Sequence, residues 1–292
     1  MWFLAVLPAF LCALICYLGD PDLDRGTNFY WTVPIVLVFA VDVGSPIILH
    51  EGAVCLIMLS PIWVVAGWAG AFLSRSRRRR RVDPNVFRSS LLLLPLMAGL
   101  LEGQISFPED HVTLTRRIVV HATPEEVWPH AVANADIRDA EGEWTLSQNI
   151  VGFPRPRAAV LRGEGVGAIR TAYWAHQISF DEVVTEWRPG RRLGWKFAFG
   201  NDSLRNYTDK HISPDGQYLK IDTGGYTLQK LPSGDTELSL ETNYIAKTHV
   251  NIYAELWGEL FLGDVQNNVL AIVKQRAEAA HAAALARGGD AG

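Results

Sequence analysis

The last two thirds of this 292-residue chain contain no cysteine. The three cysteines, Cys12, Cys16 and Cys55, all lie in apolar stretches of the first third. This distribution excludes a disulfide framework and a thiolate metal site from the polar part of the chain. Cys12 and Cys16 lie four residues apart, and we interpret them as small apolar filler rather than a redox pair.

An excess of positive charge is also missing. Residues 108–292 carry 19 Lys and Arg against 24 Asp and Glu, whereas residues 1–107 carry eight against seven. A protein that binds nucleic acid is expected to present a basic face. We therefore expect no nucleic-acid partner.

The sequence lacks the motifs that identify common active sites. It has no Gly-x-Ser-x-Gly motif and no metal-ligand spacing among its eight histidines. The glycine-rich segment 163–167 precedes a strand-like segment rather than a helix, which is the wrong position for a phosphate-binding loop. We predict no metal site and no cofactor, and we identify no catalytic residue.

Long apolar runs, by contrast, fill the first third. Residues 1–18 carry no charge and approach the roughly 20 residues needed to cross a hydrocarbon core. A cleaved signal peptide is the alternative, but a basic start and a typical cleavage site are missing, so we favour a retained span. Residues 29–73 are apolar over about twice a span length, which predicts a helical hairpin with spans 29–49 and 52–73.

Six arginines lie within residues 75–81, directly after the third apolar run. Arginines in short loops beside membrane spans stay on the cytoplasmic side, so the candidate topology determinants are Arg75, Arg77, Arg78, Arg79, Arg80 and Arg81. A solvated basic surface segment is the alternative. A fourth, weaker span is predicted at 86–107, where the charge-free core is only 13 residues long.

The fourth segment decides the predicted topology. If it crosses a bacterial-type inner or plasma membrane, the following domain lies on the face opposite the arginines. If it lies in the membrane interface instead, that domain is cytoplasmic. The arginine run favours the first arrangement.

Three ionisable residues, Asp42, His50 and Glu51, interrupt the apolar region. Such groups can form a proton relay or line a substrate path. Because they cluster where the hairpin is expected to turn, we favour a simpler interpretation, in which all three lie at the membrane interface.

From Val112 onward the pattern changes to that of a globular α+β domain. Alternating apolar residues predict a strand over 112–120, which Arg116 interrupts. Thr123, Pro124 and Glu126 form the capping box of a short helix. Several strands with turn signals follow, and apolar residues at three- and four-residue spacing predict one long amphipathic helix over 249–285.

Four segments of this domain resemble the START/polyketide-cyclase (SRPBCC) superfamily over about residues 112–278. They are IVVHATPEEVWPHAV, GVGAIRTAYW, FDEVVTEWRPGRRLGWKF and GDTELSLETNY. The resemblance implies a helix-grip fold, in which a curved antiparallel sheet surrounds a long C-terminal helix. It also implies a hydrophobic cavity between the two, used across the superfamily for lipids, sterols, polyketides or quinones.

Aromatic residues of the strands and the long helix are the candidate cavity lining. Aromatic walls with hydroxyl and indole donors suit a flat apolar ligand that carries a polar group. The alternative is that they simply fill a core. The candidates are Tyr173 or Trp174, whichever faces inward, and Trp195, Phe197, Tyr226, Tyr244, Tyr253, Trp257 and Phe261.

His176, Asp209 and His211 are the candidate polar groups of the cavity. Superfamily aromatase/cyclases place acids and bases inside the cavity, and these residues alternate along predicted strands. A role as surface or hydrogen-bonded strand residues is the alternative.

These observations lead to three hypotheses of function. The favoured one is a membrane-anchored domain, residues 110–285, that binds a lipid, isoprenoid or other apolar ligand. The second is a cyclase-, dehydratase- or hydrolase-type enzyme acting on a membrane-soluble substrate. The third is a scaffold whose membrane region binds another membrane protein.

Overall fold

The chain divides into two compact units, residues 1–107 and 108–292, in the computed structural model. The structure describes residues 2–48, 53–79, 97, 106–200, 203–204, 213–216 and 218–289. The two units are described separately below.

The first unit is helical. It contains a π-helical turn, Trp2–Val6, followed by α1 (Leu7–Gly19), α2 (Thr27–Ile48) and α3 (Ala53–Arg79). Two stretches, Thr27–Ser45 and Leu56–Arg79, are long and apolar enough to cross a membrane by length and composition, and Phe3–Gly19 is a shorter apolar helix. The described residues thus show two such helices rather than the four predicted. The predicted fourth span, 86–107, lies almost entirely outside them.

Small residues bring α1 and α3 close together. A Cβ atom on Gly70 would lie 1.9 Å from the carbonyl oxygen of Ala9, and one on Gly67 would lie 2.9 Å from Cys12 Sγ. Cys12 and Cys16 are fully buried in this packing. Small side chains at a helix interface allow the close approach typical of membrane helices.

Two arginines of the 75–81 run contact the start of α2 and the loop that precedes it. Arg75 Nη1 donates a hydrogen bond to Thr27 Oγ1 at 2.9 Å, and Arg78 Nη1 donates to the carbonyl oxygen of Asp20 at 2.6 Å. The arginines up to Arg79 continue α3. Arg75 and Arg78 therefore have structural contacts in addition to their charge, while Arg80 and Arg81 lie outside the described residues.

Asp42 does not lie at the turn of the hairpin, so that expectation is wrong. It lies inside α2, which continues to Ile48. Its carboxylate accepts a hydrogen bond from Ser60 Oγ of α3 at 2.9 Å. Asp42 is therefore a polar contact between two apolar helices, and His50 and Glu51 lie outside the described residues.

The second unit is a seven-stranded antiparallel sheet with a long C-terminal helix, which confirms the predicted α+β class. Its elements are β1 (Asp110–Val120), α4 (Pro124–Val132), β2 (Pro156–Arg162), β3 (Ile169–Trp174), β4 (Ile178–Arg188), β5 (Arg192–Ala198), β6 (Leu219–Lys230), β7 (Thr236–Ala246) and α5 (Asn251–Gly289). The strand order is β1-β7-β6-β5-β4-β3-β2.

Burial alternates along the strands, as the sequence pattern predicts. In β7 every second residue from Thr236 to Ala246 is buried. The inward residues form a core with α4 and α5 that includes Val127, Leu193 and Leu270. The outward residues of β7 are polar apart from Ile245, so one face of this strand carries the core and the other faces water.

The capping box predicted at the start of α4 is present in the structure. The Thr123 amide donates to Glu126 Oε2 at 2.9 Å, which completes the capping box of α4. Glu126 also contacts His281 of α5, with a distance of 2.8 Å between Oε1 and Nδ1. The His281 and Thr123 hydrogen bonds lower the pKa of Glu126 to about 2. The capping box therefore also joins the two helices.

Candidate ligand-binding site

The face of α5 that packs on the sheet carries exposed apolar side chains over the first three turns of the helix. Residues seven apart recur on nearly the same helix face. Leu270 and Ala277 are buried, whereas Leu256, on the same face, is 65% exposed. Likewise Gln266 is buried and Ile252, fourteen residues earlier, is 79% exposed. The helix thus covers its core from about Gly263 onward and leaves apolar side chains uncovered before that point.

Three close contacts hold α5 over β1 and β7. A Cβ atom on Gly258 would lie 2.5 Å from the Tyr244 hydroxyl oxygen. Arg116 Nη2 pairs with Glu259 Oε1 at 2.7 Å and lies against Gly263, where a Cβ atom would be 2.4 Å away. Arg116 interrupts the apolar alternation of β1 because it binds the helix.

Four half-buried aromatic residues lie on the inner face of the sheet or, for Phe199, directly after β5. We call these residues the sheet-side aromatics: Trp174, Phe180, Phe197 and Phe199. The ring centroid of Phe180 lies 6.1 Å from Trp174, 5.8 Å from Phe197 and 5.6 Å from Phe199. None of the four is fully buried. Aromatic side chains of this size normally contribute most to the free energy of folding when their area is fully removed from water.

A second aromatic group consists of three residues in the N-terminal half of α5 and of Phe153, which precedes β2. We call these residues the helix-side aromatics: Phe153, Tyr253, Trp257 and Phe261. Phe261 stacks on Phe153 and Trp257 with centroid distances of 4.9 and 5.3 Å, and Tyr253 lies 6.1 Å from Trp257. Phe261 is buried, while the other three are half-buried.

Strand register places both groups at the same end of the domain. Trp195 of β5 is level with Thr242 of β7, through Gly224 of the intervening β6. Because β5 and β7 run in the same direction, Phe197 is then level with Tyr244, whose hydroxyl contacts Gly258 of α5. The sheet-side aromatics therefore lie level with the first three turns of α5.

A polar network holds the loop 134–155 against α5. Asn268, which is fully buried, donates from Nδ2 to Gln148 Oε1 at 2.7 Å and accepts from the Glu143 amide at 2.9 Å. Arg276 Nε donates to Glu141 Oε2 at 2.6 Å, and this hydrogen bond lowers the pKa of Glu141 to about 2. The network positions Phe153 against Phe261.

A buried ion pair lies beside the sheet-side aromatics. Arg170 of β3 and Glu182 of β4 pair across the strands, with side chains 7% and 6% exposed. Arg170 also donates from Nε to the Val132 carbonyl oxygen at 2.9 Å, and its guanidinium carbon lies 5.5 Å from the Trp195 ring centroid. Burial raises the pKa of Glu182, and Arg170 opposes that shift. Burial likewise raises the pKa of the neighbouring Tyr226 to about 12.

The structure places the predicted lining residues in three environments. Trp195, Tyr226, Tyr244 and Phe261 are buried. Trp174, Phe197, Tyr253 and Trp257 are half-buried. Tyr173 is 37% exposed, so Trp174 is the member of the 173–174 pair that faces inward.

The predicted polar groups have a different outcome. His176 does not lie on a strand face, so that expectation is wrong. β3 ends at Trp174, and His176 lies in a short turn, Ala175–Gln177, with a φ of 59°. Asp209 and His211 lie outside the described residues.

Sequence reasoning missed several residues of the site. Phe199 could have been found, because it continues the alternation of Trp195 and Phe197 one residue beyond β5, whereas Phe180 lies on β4, where no candidate had been chosen. The Arg170–Glu182 pair could not have been found this way, since it depends on the register between β3 and β4.

No protein-family model matches the chain, and no curated protein matches it. Similar solved structures include the di-domain ARO/CYC BexL, with 16% identity over 72% of this chain and a TM-score of 0.36. The chain spans 61% of that protein's length. The Zhui aromatase/cyclase from a Streptomyces species shows 12% identity over 57% of this chain and 94% of its own, with a TM-score of 0.36.

Truncated norcoclaurine synthase from Thalictrum flavum is a further similar structure. It shows 12% identity over 58% of this chain and 96% of its own, with a TM-score of 0.34. Similarities at this level carry no argument about function. The α+β fold class rests on the sheet and helix themselves.

Proposed function

We propose that this protein is a membrane-anchored binding protein for a lipid, isoprenoid or similar apolar ligand, held between the sheet and α5. The observation that carries the proposal is the incomplete burial of two aromatic groups at one end of the domain, level with the first three turns of α5. An apolar ligand there would cover both groups and the exposed Leu256. Ligand pockets are typically concave, apolar and aromatic, with few polar groups.

The first unit supports the membrane anchor. Only 17% of the apolar stretch in α2 and 28% of that in α3 is buried, whereas the core helix of a soluble protein is mostly buried. Large apolar side chains are exposed on all three helices, including Leu18 at 68%, Phe39 at 68% and Val65 at 62%. Exposed apolar surface of this extent suits contact with lipid.

The start of α5 is tied to the beginning of the second unit. Asn251 Nδ2 donates to the carbonyl oxygen of Pro108 and to Asp110 Oδ2, both at 2.9 Å. Pro108 directly follows the first unit in sequence. Val112 follows Phe107 by five positions, a separation that spans at most roughly 17 Å. A ligand could therefore enter from the adjacent leaflet, at an effective concentration that a soluble carrier would not have.

Substitution of Trp257 tests the binding proposal. The full-length protein is purified from native membranes as wild type and as Trp257→Ala, and the bound apolar compounds are extracted and identified by mass spectrometry. We expect one ligand class at near-stoichiometric amount in the wild type. We expect the variant to retain less of it or to select bulkier compounds, because truncation enlarges the site.

The matched control is Trp144→Ala, since Trp144 is 66% exposed on the loop 134–155. The control should carry the wild-type ligand in the wild-type amount. If Trp257→Ala also does so, Trp257 has only a packing role; a wild-type protein without any bound compound would contradict the proposal itself.

A second candidate function is a cyclase- or dehydratase-type enzyme acting on a membrane-soluble substrate. The buried Arg170–Glu182 pair favours it, because ionisable groups beside an apolar cavity can act as acids and bases. Glu182→Gln distinguishes the two functions in preparations that circular dichroism shows to be folded, because loss of one partner of the pair also destabilises the domain. An enzyme would then accumulate a compound absent from the wild-type extract, whereas a binding protein would carry the same compound as before.

A further inference from the structure

A groove lined by charged side chains lies at the end of the sheet that is remote from the start of β1. Its volume is about 620 Å³, and the β4–β5 turn, the end of β6 and the start of α4 border it. At this end Val120 pairs with Thr236 and Thr236 with Lys230, whereas β1 begins with Asp110 at the other end. The ten residue steps along β1 span roughly 33 Å. The groove is therefore separate from the two aromatic groups.

The β4–β5 turn places two arginines close together. The Arg191 amide donates to the carbonyl oxygen of Arg188 at 2.9 Å, and Gly190 has a φ of 68°. Pro189 and Gly190 suit the two central positions of such a turn, whose ends lie within about 7 Å of each other. The Leu228 amide donates to the Arg191 carbonyl oxygen at 2.8 Å, which fixes the turn on β6.

The charges along the groove do not balance. Glu186 is shared by two arginines, since its Oε1 lies 3.1 Å from Arg188 Nε and its Oε2 lies 3.4 Å from Arg192 Nε. The side chains of Arg191 and Lys230 are exposed and have no hydrogen bond or ion pair with any residue that the structure describes. Four cations and two carboxylates give a net charge of about +2. The six residues are Arg188, Arg191, Arg192, Lys230, Glu125 and Glu186.

Size and charge together indicate the kind of ligand. Small-molecule sites typically have volumes of about 300–1,000 Å³. A phosphate group carries about −1.5 to −2 charges at pH 7, which complements the excess of positive charge. Arginine binds phosphate oxygens through parallel N–H donors, and lysine binds them as a point charge. The excess is local, because residues 108–292 carry 19 Lys and Arg against 24 Asp and Glu.

We propose that this groove binds the phosphate group of a small molecule, with Arg191 and Lys230 as the residues that contact it. The paired Arg188 and Arg192 form the wall beside them. The inference does not rest on the proposed function, because the groove and the aromatic groups lie at different ends of the sheet. It gives the second unit a polar site in addition to an apolar one.

Calorimetry with inorganic pyrophosphate tests the proposal on the full-length protein in nanodiscs of zwitterionic lipid, at constant ionic strength and without divalent cations. We expect saturable binding to the wild type. Arg191→Ala and Lys230→Ala should each raise the dissociation constant about tenfold, the loss typical of one hydrogen bond to a charged group. Both residues are exposed, so these variants are expected to fold normally.

Lys220→Ala is the matched control for Lys230→Ala. Lys220 is also exposed and lies near the opposite end of β6, so its removal changes the net charge equally and should leave pyrophosphate binding unchanged. Glu125→Gln should have the reverse effect. Glu125 Oε1 lies 3.8 Å from the position of a Cβ atom on Gly190, and loss of its negative charge should tighten binding about fivefold.

Two results would overturn the proposal: a wild type that does not bind pyrophosphate, and equal weakening by Lys230→Ala and Lys220→Ala, which indicates only general electrostatic attraction. Nanodiscs that contain phosphatidic acid distinguish the two sources of a phosphate group. Competition with pyrophosphate assigns the groove to a lipid head group, and unchanged binding assigns it to a soluble phosphate ester. Neither result changes the proposal of an apolar ligand between the sheet and α5.

Discussion

The Arg170–Glu182 pair is the residue-level feature with the largest expected effect on stability. Both side chains are almost completely removed from water and come from adjacent strands. The desolvation cost of such a pair is compensated only while both partners are present. Substitution of only one of the two residues is therefore expected to lower the stability of the domain.

Removal of one partner should destabilise the second unit strongly. We expect Arg170→Met or Glu182→Gln to cost about 3–5 kcal/mol of unfolding free energy, because an uncompensated polar group remains buried. The double substitution Arg170→Met with Glu182→Leu should recover most of that loss. Denaturant unfolding of the full-length protein measures all three, and single variants that lose less than about 1 kcal/mol would contradict this assignment.

Glu126 should make stability depend on pH in the acidic range. Its pKa falls from 4.5 to about 2 on folding, mainly through the hydrogen bond with His281. The unfolded chain therefore takes up the proton first, so the contribution is complete above about pH 4.5 and is lost as the pH falls toward 2. Because Glu126 is partly exposed, we expect a contribution of only about 1 kcal/mol.

Comparison with Glu126→Gln isolates this contribution, since glutamine can also complete a capping box. The difference in melting temperature between wild type and variant should shrink between about pH 5 and pH 2. A difference that stays constant over this range would show that the Glu126 charge does not stabilise the fold.

At the scale of elements, the sequence predicted the helices and strands whose positions depend on local residue patterns. The alternation in β1 and β7, the capping box of α4 and the long α5 follow from spacing alone. The polar attachment of the loop 134–155 could not be predicted, because Asn268 and Gln148 lie 120 positions apart in the sequence. The position of His176 was missed because a turn of three residues ends β3 early.

The attachment of this loop should depend on Arg276. Besides Glu141, Arg276 donates to the carbonyl oxygens of Ala135 and Asp136 at 2.7 and 2.9 Å. We expect Arg276→Ala to increase hydrogen exchange of the amides of residues 141–147, while the strands keep their protection. The control Arg287→Ala removes an exposed arginine near the end of the same helix. Equal exchange in both variants would contradict a specific role for Arg276.

At the scale of the whole molecule, the arginine run predicts the side of the membrane on which the second unit lies. We expect residues 75–81 on the cytoplasmic face and the second unit on the opposite face, provided that 86–107 spans. Ser233→Cys places a thiol in the exposed β6–β7 turn, and Asp22→Cys places one in the exposed α1–α2 loop.

In intact cells, a membrane-impermeant thiol reagent should label Ser233→Cys and leave Asp22→Cys unlabelled. The unsubstituted protein controls for its own cysteines, of which Cys12 and Cys16 are buried. Equal accessibility of the two introduced thiols would show that the second unit and the α1–α2 loop share one face, and would remove the fourth span.

The most direct test of the account is an experimental structure of the full-length protein purified from native membranes. We predict ligand density in contact with both the sheet-side aromatics and the helix-side aromatics. The contradicting result is a domain in which the side chains of the two aromatic groups close on each other and leave no space for a ligand.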